Sequence, residues 1–219
     1  DRAALSELYT PEAYELFRRL DFKNLLPRFE GRGGHSLSEP SYVRVEDFRQ
    51  AEEIFAKAAG AAAAGFALLA DQETLGMALS LSAEKNYFIP AEGFLSGAYL
   101  EEAAGRILNG AGKLCVFDLK TILKHVEPER KGQFFDAGIA AYLLNPLKAV
   151  YSYEDIAKEF LQLSLPSPEE IFGSSRLPAV SAMDPDAAAR WSVLTAWTAR
   201  EAAAPMEDRL RQLRMEELF

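Results

Sequence analysis

Residues 65–81 read GFALLADQETLGMALSL, two apolar runs separated by the polar tetrad Asp71, Gln72, Glu73 and Thr74. Each run is too short for an amphipathic helix and is bounded by polar residues, which suits two adjacent strands, AGFALLA and TLGMALSL. The tetrad admits two readings. Carboxylates two apart on a strand share one face, so Asp71 and Glu73 can supply a pair of metal ligands for two-metal phosphodiester hydrolysis. Four polar residues in a row are also what the solvated tip of a tight hairpin uses.

Outward from this pair the element types alternate. SYVRV precedes it as a short strand, followed by the helical VEDFRQAEEIFAKAAG, with Phe48, Ala51, Ile54 and Phe55 expected inward and Gly60 at its end. NYFIP follows the pair as a third strand. Beyond it come a helix in YLEEAAGRILNGAG, a strand in KLCVF, a helix in DLKTILKHV and a short strand in QFF. DAGIAAYLLNP then reads as a helix stopping before Pro146, and a long final helix starts at Asp184 and Pro185. Near the N-terminus, Thr10-Pro11-Glu12 opens a helix with Ala13, Leu16, Phe17 and Leu20 in one stripe, and Glu30 to Ser41 reads as a linker. The pattern predicts residues 1–40 as a helical connector and linker. It predicts residues 41–219 as a layered α/β domain, with a mixed central sheet of about five strands flanked by helices.

Composition narrows the function classes. The chain has 219 residues, 49% apolar and 26% charged, which is the balance of a folded domain with a substantial core. It contains no apolar run of membrane-spanning length, and DRAALSELYT lacks the regions of a signal peptide, so a cytoplasmic protein without membrane association is expected. One cysteine, Cys115, and two histidines, His35 and His125, supply neither a disulfide framework nor a zinc constellation. The net charge of −9 argues against tight DNA binding by this chain alone.

LGMALSLSAEKNYFIP, FDLKTILKH, FFDAGIAAYLLNP and YSYEDIAKEFL together resemble the 3′ to 5′ exonuclease-type domain of bacterial family A DNA polymerases, the DNA polymerase I group. LSELYTPEAYELFRRLDFKNLLPRF is similar to the segment that joins the 5′ nuclease domain to it. The resemblance implies a ribonuclease H-like fold, polymerase and 5′ nuclease domains as partners in one parent chain, and contact with DNA through the intact polymerase. It also implies a polymerase domain following MEELF.

Active members of that family carry an Asp-x-Glu in the first strand, an Asp after a later strand, and an Asp following Tyr-x-x-x on a late helix. Asp71, Glu73, Asp118 and the pair Tyr151 and Asp155 match the spacings in chain order. Their positions match less well. Phe66, Ala67, Leu68 and Leu69 occupy the strand interior, and Tyr151 and Asp155 fall on an earlier helix than the family's. The late helix, DPDAAARWSVLTAWTAREAAAPMEDRL, has no tyrosine and no acid between Asp186 and Glu201. Asp118 stands where a ligand belongs, yet it and Asp136 each directly precede a helix that they can cap. The preferred reading is a degenerate exonuclease-type domain with no catalytic residues and no cofactor, serving as a scaffold. The alternative is an active two-metal proofreading exonuclease in which Asp71, Glu73 and Asp118, completed by Asp184 or Asp186, hold Mg²⁺. A stand-alone adaptor is the third class.

Overall fold

The computed structural model describes residues 39–129, 134–148, 150–174 and 177–219, together with Leu16. The chain divides into two units, Asp1–Ser38 and Glu39–Phe219, of which the second is described here. Apart from Leu16, which is helical, the N-terminal helix and most of the linker expected over 30–41 lie outside the described residues.

Six strands form one sheet: β1 Val43–Arg44, β2 Ala64–Ala70, β3 Thr74–Ser80, β4 Asn86–Pro90, β5 Leu114–Val116 and β6 Phe134–Asp136. Their order is β1-β4-β3-β2-β5-β6. Only β3 pairs antiparallel to its neighbours, so the other five strands share one direction and their carboxyl ends lie together. The sheet is therefore mixed, as expected.

Helices cover both faces. On one lie α1 (Phe48–Ala59) and α2 (Gly97–Gly110), whose Ile54, Phe55, Leu100 and Ile107 pack on Phe66, Leu79 and Ile89. Asp47 caps α1 by accepting from the Gln50 N–H at 2.8 Å, and Ser96 caps α2 through Tyr99. The two helices are tied by Glu52, which accepts from both terminal nitrogens of Arg106 at 3.0 and 2.7 Å and from the Tyr99 hydroxyl. The Arg106 guanidinium holds the Glu52 carboxyl below its ordinary range.

Four short helices follow: α3 (Leu119–Ile122), α4 (Ala137–Leu144), α5 (Tyr153–Ile156), which continues as a π-turn over Ala157–Leu161, and α6 (Pro168–Phe172). The long α7 (Pro185–Gln212) crosses the second face, setting Ala188, Ala189, Val193 and Ala196 against Leu69, Ala78 and Phe88. Small residues let this helix lie close. A Cβ built on Gly65 would meet the Ala196 carbonyl oxygen at 2.1 Å. No helix among the described residues is long and apolar enough to cross a membrane.

Three local expectations change. Thr74 is the first residue of β3, buried at 3% exposure, rather than part of the exposed turn; its hydroxyl donates to Glu101 at 2.7 Å. Phe48 is 42% exposed, its ring lying on Tyr99. The helix expected over DLKTILKHV stops at Ile122, because the chain turns to bury Val126 in the core and to set His125 Nδ1 3.5 Å from Glu101.

Gly105, inside α2, gives the first prediction. Its backbone is helical, and an added Cβ would sit 3.7 Å from Val126 Cγ1, an ordinary van der Waals distance. Gly105→Ala should stabilise the domain by about 0.5–1 kcal/mol by reducing unfolded-chain entropy, read as a raised urea midpoint with unchanged slope.

Candidate functional site

Open α/β sheets place ligands beyond the carboxyl ends of their parallel strands. At that end this chain collects exposed acids: Glu46 after β1, Asp71 and Glu73 after β2, Glu92 after β4 and Asp118 after β5. Arg44, at the end of β1, is engaged by Glu46 and Glu92 at 2.8 Å each.

The side chains of β2 alternate strictly. Phe66 and Leu68 turn to the α1/α2 core, while Ala67 and Leu69 turn to the α7 face, where the Gly65 backbone also meets Ala196. A carboxylate pair presented by this strand toward α7 would stand at positions 67 and 69. Those positions hold a methyl group and a leucine that is 4% exposed. Asp71 and Glu73 come after the strand has ended. They form an exposed tip closed by the Asp71 N–H donating to the Glu73 carbonyl at 3.2 Å, next to a register shift at Leu69/Ala70.

Asp118 is the N-cap of α3. Its carboxylate accepts from the Thr121 N–H at 3.1 Å and from the Thr121 hydroxyl at 2.7 Å. Asp136, the last residue of β6, caps α4 through the Gly138 and Ile139 N–H groups at 2.9 and 3.1 Å. Its other oxygen accepts from the Leu119 N–H at 2.8 Å, so one carboxylate closes the starts of α3 and α4 together. Burial pushes the Asp136 carboxyl above its ordinary range and the neighbouring charge of Asp118 adds to that, outweighing the three N–H groups that pull it down.

Of the remaining candidates, Asp186 reaches this end, its carboxylate 4.0 Å from Arg44, and the others are engaged in local caps and loop contacts. Asp155 forms a capping box with Ser152 and meets the Lys148 ammonium at 2.5 Å. Burial raises its carboxyl, but Lys148 and the Ser152 donors outweigh burial and leave it below the ordinary range. The Tyr151 hydroxyl donates to the Asn145 carbonyl at 2.5 Å. Asp184 caps α7, and Asp186 is an exposed residue of its first turn. On the buried side of α7, the Ser192 and Thr195 hydroxyls donate back to the Ala188 and Trp191 carbonyls of the same helix, each at 2.8 Å. Cys115 is buried in the core beside β6, where burial pushes its thiol up to about 11. Among the described residues, no three His, Cys, Asp or Glu side chains come together as a metal-binding group.

Two features escaped the sequence. Thr74, Glu101 and His125 form one polar chain, and Asp136 holds Leu119 in addition to its own helix. No periodicity signals either, because the partners are distant along the chain.

No family model matches the chain, and no curated protein matches it. Solved structures do. The POL domain of Pol1 from M. smegmatis, in complex with DNA primer-template and dNTP, aligns at a TM-score of 0.57 and 14% identity over 81% of this chain. The match spans only 29% of that structure's chain. The EXO domain of Aedes aegypti Nibbler aligns at 0.57 and 12% identity, covering 83% of this chain and 95% of its own. Brucella melitensis NrnC aligns at 0.54 and 11% identity, covering 81% and 83%. At these identities the likeness gives the fold alone, a ribonuclease H-like α/β domain with a mixed sheet flanked by helices.

Proposed function

We propose that this chain is the exonuclease-type domain of a bacterial DNA polymerase I in which the metal-binding carboxylates have been lost, and that it serves as a structural platform in a replication and repair polymerase. Ala67 and Leu69 carry this reading: they occupy the two positions from which β2 would offer a carboxylate pair toward α7. Two divalent cations held a few ångströms apart repel strongly, and only several converging carboxylates offset that repulsion. Among the described residues no three of the acids converge as a metal-binding group. Asp118 is engaged by Thr121, Asp136 by three N–H groups, and Asp71 and Glu73 sit on a hairpin tip. A lone carboxylate gains little from a hydrated Mg²⁺. The residues present therefore do not fit the metal pair.

In this reading residues 1–40 are the connector from the 5′ nuclease side, and 41–219 are the exonuclease-type domain, with α7 leading toward the polymerase. Its partners are those two domains of a cytoplasmic parent chain. DNA is reached through the intact polymerase, since a net charge of −9 and the exposed acids at the strand ends oppose binding by this domain.

Titration with Mn²⁺ followed by the electron paramagnetic resonance of the free ion tests the reading without relying on turnover. The free-ion signal should rise in proportion to added metal, as in buffer. Saturable micromolar uptake of two ions per chain would favour the two-metal exonuclease built from Asp71, Glu73 and Asp118 instead.

A further inference from the structure

We infer that the turn between β4 and α2, together with the start of α1, forms a docking surface for an arginine-bearing segment of a partner polypeptide. Phe94 is its centre. The Phe94 side chain is 90% exposed, yet the turn that carries it is firmly held. Gly93 reverses the chain at a φ of +58°, the Leu95 N–H donates to the Glu92 carbonyl at 3.0 Å, and Leu95 is buried in the core. Glu92 is tied in turn by Arg44 to the end of β1. The ring is therefore presented to solvent by a fixed backbone.

Phe48, the first residue of α1, is the second exposed ring at this end of the sheet. It rests on Tyr99 of α2 with ring centroids 5.1 Å apart. Tyr99 already takes a guanidinium from within the chain, since Arg106 lies over its ring at 5.9 Å.

Charge decides the occupant. Beside the two rings stand Glu46, Asp47, Glu92 and Asp186, four acids against the two bases Arg44 and Arg49. Arg44 is shared by three of those carboxylates, so it neutralises only part of their charge. A nucleic acid brings more negative charge to this surface, and so does a second copy of a chain whose net charge is −9; both are repelled. A cationic segment is attracted. Arginine suits both parts of the surface, because its planar guanidinium stacks on an aromatic ring and meets a carboxylate through two parallel N–H groups. Lysine brings the charge without the stacking plane.

Fluorescence anisotropy at low salt tests the assignment with two labelled probes, an Arg-Ser-Gly repeat peptide and a Lys-Ser-Gly repeat peptide of equal length and charge. The arginine peptide should bind about fivefold more tightly than the lysine peptide, and Phe94→Ser should remove that advantage. Leu218→Ser changes an exposed apolar residue at the opposite edge of the sheet, next to the Phe219 ring that lies on Phe135 of β6, and should leave both affinities unchanged. At 90% exposure the Phe94 ring has little packing to lose, so the melting temperature of Phe94→Ser should match that of the unsubstituted chain. Equal binding of the two peptides, or a preference for arginine that survives Phe94→Ser, marks charge attraction alone and overturns the assignment. The absence of binding overturns it too. Self-association that Phe94→Ser abolishes would make a second copy the occupant, and a single-stranded oligonucleotide held more tightly than the arginine peptide would make it a nucleic acid; either result overturns the assignment.

Discussion

Gly65→Ala is expected to destabilise the domain by about 3 kcal/mol or more, a large share of the about 5–15 kcal/mol that holds a domain folded. The added Cβ would lie 2.1 Å from the Ala196 carbonyl oxygen, 2.9 Å from its carbon and 2.9 Å from Arg200 Cβ. Two of the three obstacles are backbone atoms of α7, so no rotamer change relieves the clash and the helix must lift from β2. Lifting it opens the packing of Val193 and Ala196 on Leu69 and Ala78 along the same contact. Urea denaturation followed by circular dichroism gives the midpoint. A variant that unfolds at the wild-type midpoint would mean that α7 does not approach β2 this closely.

Asp136→Ala is expected to cost about 3 kcal/mol, because it strips the acceptor from three backbone N–H groups at the starts of α3 and α4. The pH dependence carries a second signature. With the folded carboxyl raised above its unfolded value, the folded state binds more protons in the window just above the ordinary aspartate range. The pH-dependent part of this group's contribution to stability is therefore complete below about pH 4 and is lost as pH rises through the raised value. Carboxylates held by cations behave in the opposite sense. Asp136→Asn, which cannot ionise, should remove that falling component, and denaturation at a series of pH values reads the difference between the two proteins.

Much of the architecture was legible because it rests on local signals. The apolar run ending at Ala70, the caps at Asp118 and Asp136, and the start of α7 at Asp184-Pro185 each depend on neighbours a few residues away. The misplacements came from distant partners. Phe48 turned outward onto Tyr99, and the helix after Asp118 was cut short where Val126 found the core. The candidate site was legible in outline for a similar reason. Spacing alone offered Asp71 and Glu73 as a pair, while the end of β2 decides that they fall on its tip and not its face. That Asp136 reaches back to Leu119, and that Glu52 meets Arg106 across two helices, needed the folded chain.

The most direct measurement is removal of 3′ nucleotides from a single-stranded oligonucleotide by the purified chain with Mg²⁺ or Mn²⁺, beside Asp118→Ala prepared identically to control for contaminating nuclease. The account predicts no shortening above background for either protein, because Ala67 and Leu69 offer no ligands and Asp118 alone cannot hold two ions. Metal-dependent shortening by the unsubstituted chain that Asp118→Ala abolishes would contradict it and establish a working exonuclease site.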